Sequence, residues 1–366
     1  MKRPGAWMKT AAGASLLAGA LLAPAFGAEP GIKLYGVISS GLRYTSNIDG
    51  RHNDKVDVVS SGIGGSRWGI SGNEDLGGGN KAVFLLENGF GTDDGKTAYD
   101  ALFGRQAYVG LTGSWGSLTL GRQYHAVNNI GWAFNPLDES WGNFWSDPLY
   151  TGGDIFFQDY RVNNSLVYKH TRGPVSVQLD LGMGEQAGSA RRGASFGGGV
   201  MVQQDGLAFG VAYDQRRAAT EGGNTLQNYS VGASYAFGKA TAYLGHMGRR
   251  ESAGAARFGI TFAGLGYRLT PAWHLSGAYY RYGQKGEVRT QFQATPVPLG
   301  RGNADVVAAV ADYAFSKRTS AFLEADATIA RGGAVGRETE YWGGTPVTDV
   351  GKSTRIGVML GLRHQF

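Results

Sequence analysis

The chain contains no cysteine, so it forgoes the disulfide staple of many exported proteins, and thiol chemistry is excluded. No interior stretch approaches the ~20 consecutive apolar residues that a membrane-crossing helix needs. By hydropathy alone the chain would pass for a water-soluble protein. Its six histidines, His52, His125, His170, His246, His274 and His364, show no metal-ligand spacing. The run GGGNK at 77–81 lacks the GxxxxGKS/T spacing of a phosphate loop, and its glycines fit a tight turn instead. No nucleophile stands at a recognisable spacing from a base. The sequence therefore implies no metal, no cofactor and no nucleic-acid partner.

What is present is glycine, 61 residues of 366, and aromatic side chains, 12% of the total. Glycine supplies turn conformations and tyrosine suits pleated, interfacial surfaces, so the composition favours many short strands. Strict alternation runs from end to end. In RIGVMLGLRHQF, the last twelve residues, Ile356, Val358, Leu360, Leu362, His364 and Phe366 share one phase. LAFGVAYDQR sets Leu207, Phe209, Val211 and Tyr213 against Ala208, Gly210, Ala212 and Asp214, and IKLYGVISSGLRY sets Leu34, Ile38, Leu42 and Tyr44 against Lys33, Tyr35, Ser39 and Arg43. Such alternation is what a strand shows when its two faces meet different media.

The connections alternate as well. Short turns such as EDLGGGNK, TGSWGS, QQDG and SKRTS separate long irregular segments at 45–65, 91–101, 123–158, 184–195, 217–225, 249–256, 283–303 and 330–352. Short turns at one end and long loops at the other are the pattern of a transmembrane β-barrel with short periplasmic turns and long external loops. The expectation is an all-β antiparallel barrel of about 16 strands, an even number as such barrels require. Lipid then covers the apolar faces, and every backbone group is paired around the ring.

Residues 1–27 read as a secretory signal, with Lys2, Arg3 and Lys9 ahead of a small apolar run and Ala25 and Gly27 before the cut. The mature domain is then 28–366. Losing Lys2, Arg3 and Lys9 takes the formal charge from +6 to +3.

Several stretches resemble the general porins of Gram-negative outer membranes, the trimeric β-proteobacterial type in particular. They are KLYGVISSGLRY, SRWGISGNEDLGGGNKAVFLLENGF, FGRQAYVGLTGSWGSLTLGRQY, YRVNNSLVYKH, YAFSKRTSAFLE and IGVMLGLRHQF, in family order across most of the mature chain. The resemblance implies a homotrimer in the outer membrane, with the third long loop folded into each lumen as a constriction. Its partners are then membrane lipid and lipopolysaccharide, small hydrophilic solutes and ions, and the barrel-assembly machinery, which reads Phe366 as a C-terminal signal. The implied function is passive diffusion; a solute-selective channel, a barrel enzyme and an adhesin are the alternatives.

The third loop, 124–157, carries Asp138, Glu139, Asp147 and Asp154 and no lysine or arginine. Arg43 and Arg67 fall on polar, inward phases, and Arg161 shares a phase with Asn163, Ser165 and Lys169. An arginine on the lipid face at mid-membrane costs about 2–4 kcal/mol, which favours the lumen. Arg105 joins them through its family position, although Ala107 and Val109 share its phase. These four arginines are the expected basic wall, opposing the acidic loop across the constriction and giving a weak anion preference. Arg122 shares a phase with Leu118 and Leu120, and both the pore and a subunit interface stay open for it. The basic pairs Arg191/Arg192, Arg216/Arg217 and Arg249/Arg250 either meet lipopolysaccharide phosphates or are simply solvated. Trp132, Phe134, Trp141, Phe144 and Trp145 either anchor the loop or form a stacking track for solutes.

The mature chain should begin at Ala28 and run as an SDS-resistant oligomer that collapses on boiling to about 36 kDa, that is 38.8 kDa less a 27-residue signal. A monomer recovered in the soluble periplasmic fraction would remove the barrel.

Overall fold

The protein is described from a computed structural model covering residues 31–48, 51–60, 62–98, 101–137, 161–220, 223, 225–252, 257–288, 297–298, 300–334 and 353–366. The signal segment, and with it the boundary at 27, lies outside these residues. The first half of the chain forms β1 (Gly31–Thr45), β2 (Lys55–Ser60), β3 (Arg67–Gly77), β4 (Asn80–Gly89), β5 (Gln106–Gly113), β6 (Gly116–Tyr124), the helix α1 (Ala126–Ala133), β7 (Arg161–Arg172) and β8 (Val175–Gly182). The second half forms β9 (Ser195–Gln204), β10 (Leu207–Arg216), β11 (Leu226–Phe237), β12 (Ala240–Glu251), β13 (Arg257–Arg268), β14 (Trp273–Lys285), β15 (Glu287–Val288), β16 (Val297–Pro298), β17 (Gly302–Ala314), β18 (Thr319–Gly332) and β19 (Thr354–Gln365). Apart from the small β15–β16 ribbon, each strand pairs antiparallel with its sequence neighbour, and β1 closes the ring on β19. β2 and β3 pair with successive parts of β1, at Ser40–Thr45 and Gly31–Val37, so they are one interrupted wall strand. The barrel thus has sixteen wall strands.

Alternation in the sequence becomes two faces of this wall. On β1, Leu34, Ile38 and Leu42 are exposed while Ser39 and Arg43 between them are buried. The same holds for Leu207, Phe209, Val211 and Tyr213 against Ala208 and Ala212 on β10, and for Ile356 to Leu362 against Arg355 and Met359 on β19. A large apolar face turned outward all round has no core to pack on, and suits hydrocarbon. At the short-turn end, aromatics gather on this outer face: Trp273 lies 4.8 Å from Tyr313, which lies 5.2 Å from Phe315, and the Tyr168 hydroxyl donates to the Trp115 carbonyl at 2.6 Å. In the turn joining β3 and β4, Gly77, Gly78 and Gly79 have φ of 81°, 62° and 79°, left-handed conformations that explain the glycine run.

The last residue closes the ring. Phe366 and Gly36 exchange two backbone hydrogen bonds of 3.1 Å, and the Phe366 ring lies over Gly36, where a Cβ would stand 2.7 Å from Cε1. An aromatic placed over a strand glycine covers backbone that would otherwise be bare.

The third loop begins inside the barrel. Helix α1 lies on the inward face of β8–β12, close enough that a Cβ on Gly210 would stand 2.7 Å from Ile130 and 2.8 Å from Phe134. Beyond it, Pro136 rests on Gly264 of β13, and the Tyr280 hydroxyl of β14 donates to Asn135 at 2.6 Å. Polar bonds fix the seat: Asp180 accepts from the Ala126 N–H at 2.8 Å, the Asn129 amide donates to Gln178 at 2.8 Å, and Ser230 donates to the Val127 carbonyl at 2.9 Å. His125, just before the helix, lies 3.0 Å from Asp214. Burial alone would push its imidazole down. The facing carboxylates of Asp214 and, behind it, Asp180 outweigh that burial and the nearby Arg216, and hold it above its ordinary 6.5.

Gly36→Val should overpack the seam by about 1–3 kcal/mol and lower the temperature at which the folded band collapses on SDS gels, whereas Gly283→Val, where a Cβ meets nothing, should leave it unchanged. For His125, a raised folded pKa means stabilisation present below the unfolded value and lost as pH rises through the folded one. Protease cleavage within the third loop of the folded protein should therefore increase as pH is raised above ~6.5. That dependence should vanish in His125→Gln.

Candidate functional site

Two of the four arginines expected on the inner wall meet at one carboxylate. Glu87, on β4 opposite Gly69 of β3, takes the Arg105 Nε–H at 2.9 Å and lies 3.7 Å from Arg67 Nε. The Tyr35 hydroxyl of β1 donates to its second oxygen at 2.8 Å. Arg105 reaches this cluster although its phase points elsewhere, because it precedes β5: its own N–H donates to the Glu87 carbonyl at 3.2 Å, and its side chain turns inward. Two cations on one anion leave the cluster with a positive surplus. The Arg105 side chain is 5% exposed, while Arg67 keeps 19% of its side chain open to the lumen.

Arg43 stands apart. Its guanidinium pairs with Asp326 of β18 at 2.7 Å, on the inward face across the β1–β19 seam. Arg161 departs from the phase read in the sequence. An extra residue in β7, where Asn164 has φ of 50°, shifts the register against β6, so Val162 instead of Arg161 takes the position opposite Gln123. Arg161 is nonetheless buried at the root of the third loop, its guanidinium 4.4 Å above the Tyr124 ring and donating to that hydroxyl at 2.5 Å. Arg122 keeps its outward phase, opposite Ala107, and donates to the Gly104 carbonyl at 2.7 Å and to Asn163. It does not join the wall cluster.

Asp138, Glu139, Asp147 and Asp154 lie outside the described residues, as do Trp141, Phe144 and Trp145. Of the described loop aromatics, Phe134 is fully buried over Gly232 and Trp132 meets the Tyr124 ring at 4.9 Å. Phe134 is therefore an anchor with no face left for a solute. Glu87 is the functional residue that the sequence hid: it shares its phase with Val83 and Leu85, so it reads as part of an apolar face. No group of side chains suited to a metal ion occurs among the described residues.

Comparison with known proteins agrees with this geometry. A family described as Gram-negative porin matches residues 11–332. Among individual proteins, the chain is 27% identical to outer membrane porin protein 32 of Delftia acidovorans over 96% of this chain and 99% of that one. It is 31% identical to an outer membrane porin protein of Bordetella pertussis over 63% of this chain and 66% of that one. The major outer membrane protein P.IB of Neisseria meningitidis is 29% identical over 85% and 92%. Among solved structures, an anion-selective porin from Comamonas acidovorans superposes with a TM-score of 0.74 at 22% identity, covering 92% of this chain and all of that one. The trimer form of OmpT from Vibrio cholerae gives a TM-score of 0.65 at 13% identity, over 92% and 99%. The family and the fold point to a channel instead of an enzyme. With its closed sixteen-strand wall, lipid-suited exterior and polar interior, the chain belongs to the Gram-negative porin family, passive diffusion channels of the outer membrane for small hydrophilic solutes and ions.

Proposed function

We propose that this channel prefers small anions weakly, through a positive wall at Arg67 and Arg105 facing an acidic third loop. The observation that carries the proposal is the shared Glu87: one carboxylate serves two guanidiniums, and Arg67 retains exposure to the lumen. Arg43 and Arg161 add positive charge to the same inner wall at separate points. Asp138 and Glu139 are the principal opposing acids, directly after the buried Asn135 and Leu137, with Asp147 and Asp154 nearer the return to the wall. Cations facing anions across a water-filled gap create a transverse field. Polar solutes orient their dipoles in it and pass, apolar ones disturb ordered water, and the surplus of one sign biases the ions. The likeness to a porin named anion-selective supports that sign.

The assembled form in this proposal is a homotrimer, in keeping with the trimeric OmpT fold relative. Membrane lipid and lipopolysaccharide surround it, and the barrel-assembly machinery reads Phe366.

In a salt gradient across a planar bilayer, neutralising Arg67, Arg105 and Arg161 together should move the reversal potential toward cations, and Asp138→Asn with Glu139→Gln should move it toward anions. A unit charge about 7 Å from the ion path in water contributes roughly 0.6 kcal/mol, so each charge removed should change the permeability ratio about two- to threefold. Both shifts should shrink between 0.1 M and 1 M salt, as the Debye length falls from about 10 Å to about 3 Å. If neither set moves the reversal potential at low salt, these residues do not form the constriction.

A further inference from the structure

Most of the outer wall is apolar, yet one sector of its external end is cationic. On adjacent strands, Arg250 of β12 stands directly opposite Arg257 of β13, and Arg257 directly opposite Lys285 of β14. All three are exposed and share the outward phase of Leu244, Leu265 and Tyr279. Like charges directly opposed across a sheet are destabilising, and none of the three has a side-chain partner among the described residues. Toward the membrane from this row lies a second group. Arg281 of β14 holds both oxygens of Asp305 on β17, at 2.5 and 2.7 Å, and Arg331 of β18 takes the same carboxylate at 2.5 Å. The Tyr279 hydroxyl donates to it as well, at 2.5 Å. Asp305 is the one acid among the described outward positions of β13, β14, β17 and β18, so five cations surround a single carboxylate. Immediately below, Tyr279, Val307 and Ile329 are exposed and begin the apolar band.

We infer that this sector is a binding site for the phosphorylated headgroup of an external-leaflet lipid. The row supplies what the phosphates need: guanidiniums, which grip phosphate oxygens in pairs, spaced about 4.8 Å apart across strands. The group at Asp305 supplies positioning, because the carboxylate fixes two guanidiniums at the level where hydrocarbon gives way to headgroups. The apolar band below receives the acyl chains. Free phosphate would gain only the first of these contacts, whereas a phosphorylated lipid gains all three. An anion on the row also removes the like-charge repulsion that the bare strands carry. The basic pair at Arg249/Arg250 is thereby divided: Arg249 is buried and lies 3.9 Å from Glu251, while Arg250 faces outward into this sector.

The inference rests on the outer-membrane placement of the barrel, and the experiment separates the two, since conductance reads the barrel and lipid retention reads the row. The folded full-length oligomer in detergent is titrated with bisphosphorylated lipid A, with phosphate-free lipid A, and with inorganic phosphate, and bound lipid is counted by native mass spectrometry. The wild-type protein should retain the bisphosphorylated lipid selectively, and inorganic phosphate at equal concentration should not displace it. Arg250→Gln, Arg257→Gln and Lys285→Gln together should weaken that retention by at least about tenfold while leaving phosphate-free lipid binding and single-channel conductance unchanged. Arg281→Gln with Arg331→Gln should weaken it as well. Equal retention of the two lipids, or retention by the triple variant equal to wild type, overturns the inference. So does displacement by inorganic phosphate at equal concentration, which would make the row a site for the free anion. A lower oligomer dissociation temperature for the triple variant in lipid-free detergent overturns it too, by assigning the row to a subunit interface.

Discussion

Everything in this molecule follows from the absence of water around its middle. In hydrocarbon no solvent satisfies a backbone N–H or C=O, and each one left open costs several kcal/mol. A sheet with an edge is then untenable, so the ring must close. The seam between β1 and β19 is where that demand is met last, and it is met by the terminal residue itself, through paired bonds to Gly36. A strand with one face in lipid and one in water alternates by necessity. That explains why the mean hydropathy, −0.22, looks soluble although the chain spans a membrane throughout.

Closure fixes the wall but leaves the interior open to furnishing. A sixteen-strand ring is wide enough to enclose a water-filled channel. What narrows this one is chain laid on the inner wall: the segment 62–66 between β2 and β3, where Ile63 is buried, and the start of the third loop on β8–β14. Electrostatics follows the same division. Inside, arginines are held in fixed geometry by Glu87, Asp326 and Tyr124, so they act as fixed charges beside a moving solute. Outside, the few charges lie at the level where lipid headgroups begin.

How much of this was legible depends on whether a residue obeyed the strand period. Arg43 and Arg67 did, and both face inward as their phase requires. Arg105 did not, because it belongs to the connection before β5, where no period operates. Arg161 was misassigned in phase by one inserted residue at Asn164, since a single bulge flips every side chain beyond it. Glu87 sat in an inward run of Val83 and Leu85, so its partners, drawn from three other elements, could not be read from its neighbours. Helix α1 is eight residues long and contains Asn128, Asn129 and Gly131, poor helix formers that gave no local signal. It persists because the wall beneath it supplies partners for its polar groups, a tertiary cause invisible to any window of sequence.

The seat of that helix is made by subtraction. Gly199, Gly210, Gly232 and Gly264 each lack the Cβ that would collide with, or press on, Ala126, Ile130, Phe134 or Pro136. Loop and wall are therefore a lock and its key, cut in different parts of the chain. The pore's inner lining is not a free appendage that can be exchanged between barrels as a cassette. A third loop transplanted without its glycine track finds the floor already occupied, and a wall that inherits side chains at those four positions evicts its own loop. The diameter of this channel is thus written twice, once in the segment that fills the lumen and once in the residues that make room for it.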